Sequence, residues 1–177
     1  IKFLNPDFRR HPEALKALQR ETRRAQSLAH PNVVTVHDFD RDGTLIYMTM
    51  EFLSGEPLDG FIQRHPQGLR FNEAWPIIEG AGRALMYAHE QGVIHADFKP
   101  GNVFVSDRKA KVLDFGIARA VKAQGNAADG TRFDAGTLGA LTPAYASPEM
   151  LLNGEPDPRD DVYALACVAY ELMTGKH

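Results

Sequence analysis

The stretch HADFKPGNVFV, His95 to Val105, limits the possible folds more than any other part of the chain. It sets an acid (Asp97), an ammonium (Lys99) and a carboxamide (Asn102) within six residues, then runs straight into apolar sequence. A solvated loop needs no such set. The short strand pattern VFV, the turn SDRK and a second strand pattern AKVLDF follow in order. Two strands around a tight turn bring Asp114, at the end of the second, back toward Asp97 and Asn102. Such a group suits phosphate chemistry. Mg²⁺ takes a few oxygen ligands, a cation steadies the phosphates, and an acidic group orients an acceptor hydroxyl and takes its proton.

Helix and strand patterns surround this loop. IKFL reads as the end of a strand. Pro12 to Ala29 reads as a helix, with Pro12 in its first turn and Pro31 past its end. Its apolar stripe is Ala14, Leu18, Ala25 and Leu28, and Glu21 falls on that same stripe. A carboxylate turned to a core is costly unless paired, so Glu21 is expected to have a cationic partner. NVVTVHDF and LIYMTMEFL read as an antiparallel hairpin around DRDG, and SGEPLDG as a loop leading to a short helix. Asn72 to Gln91 reads as a long amphipathic helix with Asn72 as N-cap and Gly92 past its end. Asp160 to Thr174 is almost wholly apolar and reads as a buried helix, yet Asp161 shares a stripe with Leu165, Val168 and Leu172. It is a second carboxylate facing a core.

Composition narrows the function classes. The 177 residues suit one domain or a large part of one, and 44% hydrophobic with 24% charged residues is an ordinary globular balance. A net charge of -3 gives no pull toward nucleic acid or an anionic membrane. The single Cys167 excludes a disulfide within the chain and points to a reducing compartment; composition and motif style suggest a cytoplasmic domain, with a membrane anchor outside this segment left open. The apolar run around it is shorter than the about 20 residues a bilayer span needs. No signal peptide is visible. The chain begins at IKFL without Met and stops at TGKH after a helical pattern, so both ends read as cut from something longer. Ala118 to Ala146 is rich in Gly, Ala and Thr, the mark of a functional or disordered loop.

The motifs together resemble the eukaryotic-type protein kinases, the Hanks type, as found also in bacteria. HADFKPGN resembles their catalytic loop, LDFG their metal-binding Asp-Phe-Gly, and YASPE the Ala-Pro-Glu that closes the activation segment. DDVYALACVAYELMTGK resembles the buried helix that follows. Lys2 precedes Glu21 by nineteen residues, which suits the family's strand Lys and helix Glu. The resemblance runs from Lys2 to the end, and four motifs in the right order carry it.

The resemblance implies a two-lobed α+β fold. Residues 1–53 would be a partial small lobe and hinge, with antiparallel strands and one helix. Residues 54–177 would be a partial, mainly helical large lobe. It implies a serine/threonine protein kinase using ATP and Mg²⁺, or Mn²⁺ in its place, with a protein Ser or Thr as acceptor. Asp97 would be the catalytic base, and Lys99 would contact the transferring phosphate. Thr142 would bridge Asp97 and Lys99. Asn102 and Asp114 would ligate the metal. Lys2 would hold the α- and β-phosphates, locked by Glu21. After Met50, the Glu51 carbonyl and Leu53 amide would meet the adenine edge above Phe104. Asp161 would hold the catalytic-loop backbone.

The chain also departs from the pattern. Ala96 replaces the Arg that pairs with a phosphate on the activation segment, so switching through that contact is not expected despite Thr131, Thr137 and Thr142. Leu141 stands where Gly usually precedes the Thr, and Ala166 replaces a common Gly. The Gly-rich strands that cover ATP would lie before Ile1, and further helices after His177. These 177 residues alone are therefore expected to be weak or inactive. Two other readings stand beside the kinase: a small-molecule phosphotransferase of kinase-like fold, and a non-catalytic, kinase-shaped scaffold.

Overall fold

The computed structural model of the chain describes residues 1–3, 12–115, 142–152 and 154–177. Most of the segment from 118 to 146, with Thr131, Thr137 and Leu141, lies outside them, as does Gly116.

Strand β1 (Lys2–Phe3) opens the chain, and helix α1 (Pro12–Gln26) follows. α1 buries Ala17, Leu18, Thr22 and Ala25. It stops three residues earlier than expected because the chain tightens. Ser27 and Leu28 N–H groups bond the carbonyls three residues back, and the Ser27 hydroxyl takes the Arg24 carbonyl at 2.7 Å. The side chain of Ala14 is outside the described set.

β2 (Val36–Asp42) and β3 (Leu45–Met50) form the expected hairpin. The strands continue through Asp42 opposite Leu45, so only Gly43 of DRDG is in the turn, at φ +55°. The two-residue connection needs that left-handed backbone. The first sheet is antiparallel in the order β1-β3-β2.

The second sheet is antiparallel in the order β4-β5-β6, from β4 (Glu56–Pro57), β5 (Val103–Ser106) and β6 (Lys109–Val112). β4 falls in a segment expected to be loop. Two residues are too few to show a period of two in sequence. Helix α2 (Leu58–Gln63) follows β4. The segment before β2 runs parallel to β6: Val34 N–H bonds the Val112 carbonyl at 2.9 Å, and Val112 N–H the Asn32 carbonyl at 2.8 Å.

Helix α3 (Phe71–Glu90) turns Ala74, Ile77, Ala81, Ala84, Leu85 and Ala88 into the core. Its N-cap is Arg70 rather than Asn72, because the Glu73 carboxylate reaches back to accept the Arg70 N–H at 3.3 Å. The C-terminal side holds α4 (Pro148–Leu151) and α5 (Pro158–Thr174). α5 is buried on one face only. Asp160, Asp161, Ala164, Val168 and Leu172 are buried, whereas Val162, Tyr163, Tyr170 and Met173 are exposed among the described residues. An all-apolar helix does not by itself say how many of its faces find partners.

The core runs from α3 to both strands β5 and β6 and to the inner face of α5. No described helix is long and apolar enough to cross a membrane.

Candidate active site

The loop between α3 and β5 is held by its backbone. Asp161, 1% exposed, accepts the His95 N–H on one carboxylate oxygen at 2.8 Å and the Ala96 N–H on the other at 2.9 Å. Ala96 sits at φ +63°, a left-handed conformation that a residue with a Cβ adopts only at a cost. That twist lets two successive N–H groups converge on one anion, a backbone nest filled by a carboxylate. The His89 Nε2–H gives Asp161 a third donor at 2.7 Å.

His95 is fully buried and packs against the rings of Phe98 and Phe115. Its Nδ1 accepts the Asp97 N–H at 3.3 Å, so Nε2 carries the hydrogen donated to the Leu113 carbonyl at 2.7 Å. The ring is a strut between the loop and the segment carrying Asp114. It does not face the cleft.

Three polar side chains meet beyond it. The Lys99 ammonium is 2.7 Å from an Asp97 carboxylate oxygen and donates to the Thr142 hydroxyl at 2.8 Å. The Thr142 N–H donates to the other Asp97 oxygen at 3.2 Å. Thr142 thus touches both residues it was expected to bridge. Asn102, on the short turn Pro100–Asn102, donates its amide to the Asp97 carbonyl at 2.9 Å. Its own backbone carbonyl accepts the Leu113 N–H at 2.9 Å, so Asn102 and Asp114 are held on neighbouring backbones.

The donor types, an amide oxygen and a carboxylate oxygen, are those a hard divalent ion takes. Among the described residues no group of three or more His, Cys, Asp or Glu is placed to hold a metal ion.

The expected Lys2–Glu21 pair is not formed. Lys2 pairs instead with Asp114, and Glu21 takes Arg24 one turn along its own helix at 2.8 Å. Glu21 did need a cation, but an i,i+3 Arg on the same helix supplies it without any tertiary approach. A narrow, mainly apolar cleft lies between α1, β3 and the segment 113–115, lined in part by Thr22, Met48, Met50 and Asp114.

Glu51, Leu53 and Phe104 are not among the residues that line that cleft. Phe104 stands on β5 opposite Pro57 and Lys111. Among the described residues, neither the Glu51 carbonyl nor the Leu53 N–H has a hydrogen-bond partner. The Glu51 carboxylate takes Lys111 at 2.6 Å and the Thr35 N–H at 2.8 Å.

Several partners escaped the sequence reading. His89 is one position beyond the buried stripe of α3, and Lys111 alternates with the buried Ala110 and Val112. Neither has a local signal; only packing shows what each reaches. Tyr145 is another. Its hydroxyl donates to Glu171 at 2.7 Å, and burial together with that carboxylate pushes the phenol well above its ordinary value.

The chain matches the protein kinase domain family over residues 1–177. It is 35% identical to the serine/threonine-protein kinase PknA of Mycobacterium tuberculosis, across 99% of this chain and 40% of that protein. It is 38% identical to the serine/threonine-protein kinase PknB of Mycolicibacterium smegmatis, across 99% of this chain and 28% of that protein. It therefore spans less than half the length of these relatives. The crystal structure of the Mycobacterium tuberculosis PknI kinase domain superposes with a TM-score of 0.76 at 30% identity, covering 98% of this chain and 61% of that one. With fold, motif order and whole-chain similarity in agreement, the chain belongs to the protein kinase domain family.

Proposed function

We propose that the chain is the catalytic core of a bacterial Hanks-type serine/threonine protein kinase, moving the γ-phosphoryl group of ATP to a protein Ser or Thr hydroxyl. The observation that carries the reading is the contact set of Asp97, Lys99 and Thr142. In it one ammonium contacts both the carboxylate and the hydroxyl, and the Thr142 N–H reaches the carboxylate.

Asp97 would accept the acceptor's proton and orient its oxygen. Lys99 would balance charge on the transferred phosphoryl group, and Thr142 would keep Asp97 and Lys99 together. Asn102 and Asp114 would hold Mg²⁺, or Mn²⁺ in its place. A bound ion would supply neutralisation of phosphate charge. The open Glu51 carbonyl and Leu53 N–H offer one acceptor and one donor, the pattern an adenine edge requires, and Phe104 would lie beneath the base. Residues 1–53 then form the small-lobe side and hinge, and 54–177 the large-lobe side. An activity that consumes ATP places the domain on the cytoplasmic side.

Lys2 and Asp114 neutralise each other in the structure. Both are needed for Mg²⁺–ATP, so this pair must open before catalysis, and Glu21 must leave Arg24 if it is to hold Lys2.

The test is phosphate transfer from labelled ATP and Mg²⁺ to a generic Ser/Thr-containing protein, using the intact protein beside Asp97→Asn. Loss of at least about a hundredfold in the variant supports the assignment, the usual scale for a general base. ATP binding with transfer only to small hydroxyl compounds would favour the phosphotransferase reading. Absence of nucleotide binding would favour the scaffold.

A further inference from the structure

The ion pair between Lys111 and Glu51 has no part in the reaction just described. It is 2.6 Å long and joins residues sixty positions apart. Lys111 lies on β6 between Ala110 and Val112, both fully buried, so the strand's alternation sends its side chain to the other face. That face also carries Phe104, directly across the ladder.

Glu51 is the first residue after β3, and its environment is closed on one side. Its carboxylate takes Lys111 and the Thr35 N–H, and its own N–H donates to the Thr35 carbonyl at 2.9 Å. The segment before β2 is already bonded to β6 through Val34 and Val112. Glu51 is therefore clipped to that segment and to a strand of the other sheet. Burial raises the Glu51 carboxyl, but the ammonium and the Thr35 N–H outweigh it and hold the group below its usual range, so the clip is ionic.

We infer that Lys111 is a positioning residue for nucleotide binding: by gripping the Glu51 side chain it sets the backbone of residues 51–53, whose open carbonyl and N–H meet the adenine edge. This rests on the reading of 51–53 as the adenine-contacting segment. Lys111 need not touch the nucleotide. Its loss loosens the recognition edge and leaves the Asp97 group unchanged, so it weakens ground-state and transition-state binding of ATP alike. That raises KM without lowering kcat.

The experiment compares the intact wild-type protein with Lys111→Met and Lys111→Arg. It reads kcat, KM for ATP, KM for the protein acceptor, and the Kd of a fluorescent ATP analogue. Lys111→Met is expected to raise the ATP KM and the analogue Kd about tenfold, the scale for one coupled contact pair. The acceptor KM and kcat at saturating ATP should stay within about twofold, because uniform binding alone is lost. Lys111→Arg, which keeps a cation on the strand, should recover most of the affinity. If Lys111→Met does not fold, Lys111→Gln keeps a polar stem without charge and decides by the same readouts.

Unchanged ATP KM in the charge-removing variants, with normal wild-type ATP binding and an inactive Asp97→Asn, overturns the positioning role and leaves the kinase reading intact. A fall in kcat with no change in ATP affinity also overturns it, since the effect would then be general. A wild-type protein that binds no nucleotide overturns the reading itself, and this inference with it.

Discussion

At the residue scale the arrangement turns on a few buried polar atoms. Asp161 satisfies two backbone N–H groups that no neighbour in sequence can reach, and its own charge is in turn held by those donors and His89. Removing it strands two buried donors, which costs about 3 kcal/mol or more. Asp161→Ala is therefore expected to lower the thermal midpoint clearly and to abolish transfer, by calorimetry and kinase assay on the same preparation. Ala96 tests the backbone itself. At φ +63° a β-branched side chain is a true outlier, and the site is closed by Ala146 and Met150. Ala96→Val should cost about 2 kcal/mol by denaturant unfolding, in the range for overpacking with strain. Ala96→Gly should stay within about 0.5 kcal/mol, because relief of strain and added unfolded-state entropy oppose each other.

At the scale of elements, caps join one helix to the next. Ser147 is the N-cap of α4, its hydroxyl oxygen accepting the Met150 N–H at 3.1 Å. The same hydroxyl donates to buried Asp160 in the first turn of α5 at 2.6 Å. Asp160 also accepts the Asp157 N–H at 2.8 Å, completing the cap of α5. One Ser thus stops one helix from fraying and satisfies a carboxylate of another. Ser147→Ala removes both bonds and should cost about 2 kcal/mol, more than a cap alone. In a double-mutant cycle with Asp160→Ser, the two losses should be less than additive. Full additivity would show that the hydroxyl–carboxylate bond contributes nothing.

For the whole molecule, what matters is how separate parts of the chain are brought together. The turn before α3 packs on the end of α5, where Leu69 N–H bonds the Leu172 carbonyl at 2.9 Å. Gly68, at φ +71°, leaves no room: a Cβ there would lie 2.1 Å from the Met173 carbonyl oxygen. Gly68→Ala must push the two segments apart, and a loss of about 2 kcal/mol or more is expected by thermal unfolding. The Glu51–Lys111 clip joins the two sheets in a pH-dependent way. The folded Glu51 carboxyl lies below the ordinary 4.5 of a free carboxylate, so the clip's stability is fully present above that value. It is lost as pH falls through the lowered folded value. The stability gap between wild type and Lys111→Met should hold steady above about pH 5 and shrink as the pH falls below it, measured by urea midpoints. A gap that grows on acidification would contradict the ion pair.

The sequence by itself determined the order of the longer strands and helices around the loop, because each of those rests on local periodicity and turn chemistry, whereas the two-residue β4 has no period to read. It also determined the family, because four motifs stand in order. The Asp97, Lys99 and Asn102 group was legible for the same reason: six residues cannot spread far when a buried strand follows them. Asp161 was legible as an anomaly, a carboxylate on an apolar stripe that had to find donors. Glu21 shows where that logic stops. The need for a cation was readable, but the choice between Lys2 and Arg24 was not. Glu21 took Arg24, already within reach along α1, and the tertiary structure gave Lys2 to Asp114, 112 positions away. Only the tertiary structure decided which face of α5 is covered, and that Lys111 holds Glu51. A long charged side chain can reach any partner within several ångströms. Which partner comes within that reach depends on how the sheets and helices pack, and no local pattern in the chain encodes it.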